Sequence, residues 1–197
     1  MLIPEIWINV AERTGISALT RTTRDEPDYD RLMSYRLEIL DQNDIKMGDI
    51  TSTIESMDPM EGAMEFLASL ESRWPTLILS DTFSQFAKPM MKKLGNPTLL
   101  CHTLVIDETG RIEDWEIRYD DHKRKTVESL TEMNYKVIAA GDSYNDTSML
   151  SAASAGILFR PPENVIQEFP QFPVAMDYSE LTDAIESAAT DLGELWN

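Results

Sequence analysis

Two short, uninterrupted apolar runs constrain this chain more than any other feature. Leu77-Ile78-Leu79 leads into Ser80-Asp81-Thr82, and Val137-Ile138-Ala139-Ala140 leads into Gly141-Asp142-Ser143-Tyr144-Asn145-Asp146. A run that is apolar at every position suits a strand covered on both faces, as in a parallel sheet flanked by helices. In open sheets of that kind, ligands gather beyond the carboxyl ends of the strands. The two polar clusters stand at that place. The expected fold class is therefore α/β, a doubly wound, Rossmann-like parallel sheet.

The rest of the chain fits around these runs. Before Met57 the pattern is helical only. Pro4 opens a helix that Gly15 closes, Asp28 or Asp30 caps a second ending near Asp41, and a third spans about Asp49 to Met57. Pro59 is expected to open a helix carrying Ala63, Phe66, Leu67 and Leu70, ended by Trp74-Pro75. Further helices are expected near Phe86–Leu94, Lys123–Met133, up to Met149, up to Phe169 and from Tyr178. Strands are expected near Leu99–Val105, Gly156–Phe159 and Pro173–Ala175. Asp107-Glu108-Thr109-Gly110 has turn chemistry, with Trp115–Arg118 as its hairpin partner. The expected organisation is a helical subdomain over residues 1–57 and an α/β core over 58–197.

Composition narrows the function classes. The 197 residues carry 35 acidic and 17 basic side chains, a formal net charge of −18. Such a charge repels phosphodiester backbones and anionic lipid, so neither a nucleic acid nor a membrane is an expected partner. The lone Cys101 excludes intrachain disulfides, and no apolar run approaches a membrane span. A cytoplasmic protein is expected. After Arg160 the chain has no Lys or Arg, only acids through Glu194, which suits the solvated face of a terminal helix. His122-Lys123-Arg124-Lys125 and Lys88 with Lys92-Lys93 stand out as positive islands. His102 and His122 lack a third ligand at metal spacing and are expected at ordinary surface or boundary positions.

Several residues carry candidate chemistry. Asp142 projects from a strand tip, with Asp146 one helical turn further on and Asn145 beside it. Two carboxylates and an amide suit Mg²⁺, which takes one or two carboxylates and shares substrate phosphate. Ser80 and the amides that follow could hold phosphate oxygens, although both clusters also read as helix caps. Lys123, just ahead of a helix, can reach a phosphoryl group as a point charge, and Arg124 or Lys125 could serve equally. Leu32, Arg36 and Leu40 share one helix face, so Arg36 needs an anion, internal or from a ligand. Glu5 suits a helix N-terminus.

Ser80-Asp81-Thr82, Lys123 and Gly141-Asp142-Ser143-Tyr144-Asn145-Asp146 resemble motifs II, III and IV of the haloacid dehalogenase superfamily. Pro4-Glu5-Ile6-Trp7, Asp28-Tyr29-Asp30 and Glu163-Asn164-Val165-Ile166 are similar to its phosphoserine phosphatase branch, some members of which are phosphoserine:homoserine phosphotransferases. The resemblance covers nearly the whole chain. It implies a small helical cap, a Mg²⁺-dependent phosphomonoesterase acting on phosphoserine, phosphoryl transfer to water or homoserine, and a place in serine or threonine biosynthesis. It also implies site roles. Asp142 holds Mg²⁺ and Asp146 supports it from behind, with Asn145 near. Ser80, Asp81 and Lys123 surround the phosphoryl group, while Glu5 and Arg36 read the amino and carboxylate groups of the substrate. A homodimer is expected.

The resemblance further implies an apolar first strand ending in Asp-x-Asp or Asp-x-Glu. The first of those acids attacks phosphorus and the second acts as acid and base. Met1 here directly precedes the stretch that follows that strand, so both acids and the first core strand are expected to be absent. Asp28-Tyr29-Asp30 and Asp114-Trp115-Glu116 have the spacing but stand in a turn and a hairpin. Three readings follow: a longer natural chain is the active enzyme, an inactive shortened homologue only binds phosphate or phosphoserine, or a neighbouring chain donates the strand. Without it the sheet is expected to expose strand edges.

Overall fold

The computed structural model describes residues 1–22, 25–26 and 28–193. Glu194, the last acid of the tail, lies outside them. The described residues fall into two compact units, Leu2–Arg118 and Tyr119 onward together with Met1.

The first unit opens on helices. α1 (Ile6–Thr14) buries Ile6 and Val10 on one face, and Gly15 ends it in the left-handed region at φ 72°. A single 3₁₀ turn (Ser17–Thr20) places the buried Leu19. α2 (Tyr29–Gln42) is capped by Asp28, whose carboxylate accepts from the Arg31 N–H at 3.1 Å. It buries Leu32, Met33, Arg36, Ile39 and Leu40, a stripe at helical spacing with one charge in it. α3 (Met47–Glu55) begins two residues before the expected start, because the Asp49 carboxylate reaches back to the Lys46 N–H at 2.9 Å. α4 (Ala63–Glu71) begins later than Pro59. Gly62, at φ 79°, breaks the backbone direction there and leaves the preceding residues outside the helix.

β1 (Ile78–Phe83), α5 (Ser84–Lys93), β2 (Leu99–Ile106) and β3 (Ile112–Glu116) complete this unit. β1 pairs parallel to β2, and β2 pairs antiparallel to β3. The hairpin strand starts earlier than expected, since Ile106 is paired with Ile112 across a tight turn. The Asp107 carboxylate closes that turn by accepting from the Thr109 and Arg111 amides at 2.8 and 2.9 Å. One core joins helices and sheet: Val10, Leu19, Met33, Ile54, Phe83, Phe86 and Leu104 belong to a single apolar cluster. Phe83 and Phe86 meet edge to face, as do Trp7 and Phe86. Fully burying one such ring stabilises by about 1.5–3 kcal/mol. Met90 is wholly buried and acts as core filler.

Two side chains lock this unit together. β1 gives way to α5 at Ser84, leaving the backbone of Leu104 without a strand neighbour on that side. The Gln85 carboxamide takes the vacant place, donating to the Leu104 carbonyl at 2.8 Å and accepting from its N–H at 3.0 Å. Lys93 donates to the Glu55 and Met57 carbonyls and lies 3.2 Å from the Asp58 carboxylate, so this cation caps the end of α3.

The second unit contains α6 (His122–Glu132), β4 (Ile138–Gly141), a 3₁₀ turn (Tyr144–Asp146), α7 (Thr147–Ala152), β5 (Ala155–Phe159), α8 (Glu163–Glu168), β6 (Val174–Ala175) and α9 (Tyr178–Asp191). β4, β5 and β6 form a wholly parallel sheet in that order. Gly156 is obligatory in β5: a Cβ there would lie 2.7 Å from the Leu150 carbonyl oxygen and 2.9 Å from the Phe172 ring. The fold is α/β with parallel strands, as the apolar runs require. β1 and β4 each stand at the edge of a three-stranded sheet. Among the described residues none pairs with the other side of either strand.

Candidate active site

Ser80-Asp81-Thr82 does not follow β1 but lies within its last residues, where the ladder is interrupted. Leu79 is opposite Leu100 and Phe83 is opposite His102, so β1 carries two residues more than β2 over this stretch. Such a bulge frees a segment from the ladder and re-aims its side chains. Here the Thr82 N–H donates to Ser80 Oγ at 3.3 Å, and the Asp81 carbonyl accepts from the Tyr29 hydroxyl at 3.2 Å. Tyr29 thus ties the first turn of α2 to the bulge. Burial, followed by the nearby Asp81 charge, holds its hydroxyl well above the usual tyrosine range.

Arg36 lies two turns along the same face. It is 6% exposed, and its guanidinium sits over the Trp7 ring at 4.6 Å. Its Nη2 donates to the Arg21 carbonyl at 2.8 Å, while Nε is buried with no hydrogen-bond partner. Among the described residues Arg36 makes no ion pair. Desolvation pulls its pKa down to about 10, opposed by electrostatic interaction with Tyr29 and Glu5. Glu5 itself is exposed at the start of α1 and does not cap that helix with its side chain. Tyr29 and Trp7 were not legible as partners of Arg36, although Tyr29 stands seven positions before it on one helix face.

His102 and His122 correct the sequence-based expectation, being buried at 3% and 7% exposure. His102 sits in β2 opposite Phe83, and its Nε2 is 3.9 Å from the Asp81 carboxylate. His122 opens α6 on its inward face. His102 is buried beside the buried Cys101, outside strict strand alternation, and His122 stands in a run of charged residues, so neither burial shows in the local pattern.

The second cluster is built on β4 and the turn after it. Asp146 is buried and both of its oxygens are engaged. Oδ1 is 2.9 Å from the Lys123 ammonium. Oδ2 accepts from the Asp142 N–H at 3.0 Å, the Ser143 N–H at 3.2 Å and the Ser143 hydroxyl at 3.1 Å. This carboxylate folds the turn and anchors the lysine. Gly141 makes room for it: a Cβ there would lie 2.3 Å from Asp146 Cβ. Asp142, by contrast, presents a half-exposed carboxylate whose Oδ2 accepts from the Met1 ammonium at 2.7 Å. Asn145 is exposed.

The basic island also separates into distinct parts. Lys123 is 8% exposed and turned to Asp146. Arg124 is neutralised on the surface by Asp121 and Glu128, and Lys125 by Glu128. Of the three cations, Lys123 alone is directed to the Gly141–Asp146 turn.

No protein-family model matches the chain. Among curated proteins it is 56% identical over 181 residues to the phosphoserine phosphatase ThrH of Pseudomonas aeruginosa, covering 92% of this chain and 88% of that one. It is 54% identical over 181 residues to a phosphoserine phosphatase of Pseudomonas syringae pv. tomato, covering 92% of this chain and 76% of that one. Among solved structures, a substrate-bound phosphoserine phosphatase aligns with a TM-score of 0.74 at 20% identity, over 92% of this chain and 91% of that one, which shows the fold. Together with the motif residues placed above, the 56% identity establishes that the chain belongs to the phosphoserine phosphatase family of the haloacid dehalogenase superfamily.

Proposed function

We propose that these residues recognise and position phosphoserine for Mg²⁺-dependent cleavage of its phosphate ester, with water or homoserine as the acceptor. One observation carries the reading: the Arg36 guanidinium is buried, lacks a carboxylate among the described residues and keeps an unbonded Nε. A buried cation in that state is costly unless an anion completes it. The carboxylate of phosphoserine is such an anion, and the exposed Glu5 offers a counter-charge for its ammonium. The helices over residues 1–57, which carry both groups, act as the cap. The relatives named phosphoserine phosphatase support the assignment.

The remaining roles follow from local geometry. Ser80 Oγ, freed by the bulge, donates to a phosphoryl oxygen, and Asp81 shapes that segment. The Lys123 ammonium, held by Asp146, supplies a fixed positive charge to the phosphoryl group. Asp142 fits a divalent cation, since it presents a half-exposed carboxylate at the end of β4. Asp146, with both oxygens occupied, supports that turn without ligating, and Asn145 stands beside it. Bound Mg²⁺ would supply charge neutralisation at the phosphoryl oxygens.

In the reaction an aspartate oxygen bonds to phosphorus as the serine Oγ–P bond breaks, and a second acid gives serine its proton. An acceptor hydroxyl or water then takes the phosphoryl group and releases the aspartate. In this reading neither acid is among the 197 residues.

Calorimetric titration tests recognition separately from turnover. Phosphoserine should bind at least about tenfold more tightly than phosphoethanolamine, which lacks the carboxylate. Arg36→Gln should remove that difference. Equal affinities for the two ligands in the unsubstituted protein would overturn the assignment of Arg36. The same protein, given Mg²⁺ and phosphoserine, should release no phosphate; turnover would show that the attacking acid lies within these residues.

A further inference from the structure

A cavity of about 520 Å³ lies on the α5–β2 side of the first unit, and none of the proposed roles uses it. Its walls are apolar where Met91, Leu99 and Leu100 face it. Its polar side chains are Ser84, Asn96 and two cations, Lys88 and Arg118, with no carboxylate among its lining residues. In a chain of net charge −18, a cavity edged by two cations and no acid departs sharply from the rest of the surface. Neither cation has a carboxylate partner among the described residues. Lys93, one turn beyond Pro89 on the same helix, is by contrast fully used in capping α3.

The two cations differ in stiffness. Arg118 is pinned, since its Nε donates to the Cys101 carbonyl at 2.6 Å and its Nη2 lies 3.5 Å from Thr103 Oγ1. That leaves the guanidinium with unused donors and a fixed direction. Lys88 is exposed on α5 and can swing to meet an anion. Leu100, an exposed apolar side chain of β2, offers a surface for a hydrocarbon body.

We propose that this cavity binds a small organic anion with an apolar body, such as a short-chain carboxylate, at a site separate from the phosphoserine-reading residues. Lys88 and Arg118 hold the charged head, and Met91, Leu99 and Leu100 cover the hydrocarbon part. Neither cation alone would suffice, because an exposed ion pair contributes little in water. Two cations lining one partly apolar cavity supply both charge and desolvation.

The test is an amide-resolved NMR titration of the full chain with hexanoate, 1-hexanol and acetate. Hexanoate should produce saturable shifts at Ser84, Lys88, Leu100 and Arg118. Hexanol and acetate, each lacking one half of the ligand, should bind about tenfold more weakly or not at all. Lys88→Gln, at an exposed position, leaves the fold intact and should weaken hexanoate by about tenfold. Arg118→Gln should do the same. No saturable shift at these amides, or an affinity unchanged by Lys88→Gln, would overturn the proposal. Loss of phosphoserine binding in Arg36→Gln leaves this result unaffected, so the two readings fail independently.

Discussion

Asp146 illustrates how one buried carboxylate can organise a turn and hold a cation at once. Four donors converge on it, the Lys123 ammonium among them. Removing one partner of a buried ion pair costs about 3–5 kcal/mol. Asp146→Asn should therefore lower unfolding free energy by that amount in urea denaturation, whereas Arg124→Gln, on the surface, should change it by less than about 1 kcal/mol. The sequence offered Lys123, Arg124 and Lys125 as equals, because adjacency says nothing of direction. Helix geometry separates them: one side chain turns inward while two find acids on their own surface. Asp142, Asp146 and Ser80 were legible because they follow apolar runs. The contacts of Tyr29 and Trp7 with their neighbours depend on three-dimensional packing that no spacing displays.

At the scale of elements, the apolar runs and the turn residues located nearly every strand and helix. Boundaries slipped where a single backbone feature intervened, as at Gly62 before α4 and Ile106 opposite Ile112 in the hairpin. The bulge in β1 was not legible, since its extra residues change no side-chain pattern. The hairpin also carries an acid-sensitive joint. Arg111 bonds the Asp41 carboxylate, joining the turn after β2 to the end of α2, and holds that carboxyl below its usual range. Hydrogen bonds from Thr109 and Arg111 do the same for Asp107. Groups with lowered folded pKa values stabilise fully above the unfolded value, near pH ~3.9, and lose that contribution as pH falls through the folded value. Circular dichroism melts should thus be insensitive to these two acids between about pH 6 and 8 and fall on acidification below about pH 4. In Asp107→Asn the acid-induced part of the fall should be smaller.

For the whole molecule, charge and fold class were readable from composition and from two runs of apolar residues. The division into units at Arg118 was not, because it depends on which elements share a core. Helices α1 to α3 lie far from β1 in sequence, yet their buried residues join its cluster. The Gln85 clamp has a consequence for how such a unit opens. A side-chain amide stands in for a strand, so the protection of one peptide group depends on a helix remaining docked. In hydrogen-exchange terms, the Leu104 amide should exchange with the opening of α5 rather than with the separation of β1 from β2. Gln85→Leu should make that single proton fast while the amides of Leu99–Cys101 stay slow. A slow Leu104 in that variant would mean that the strand holds its own edge.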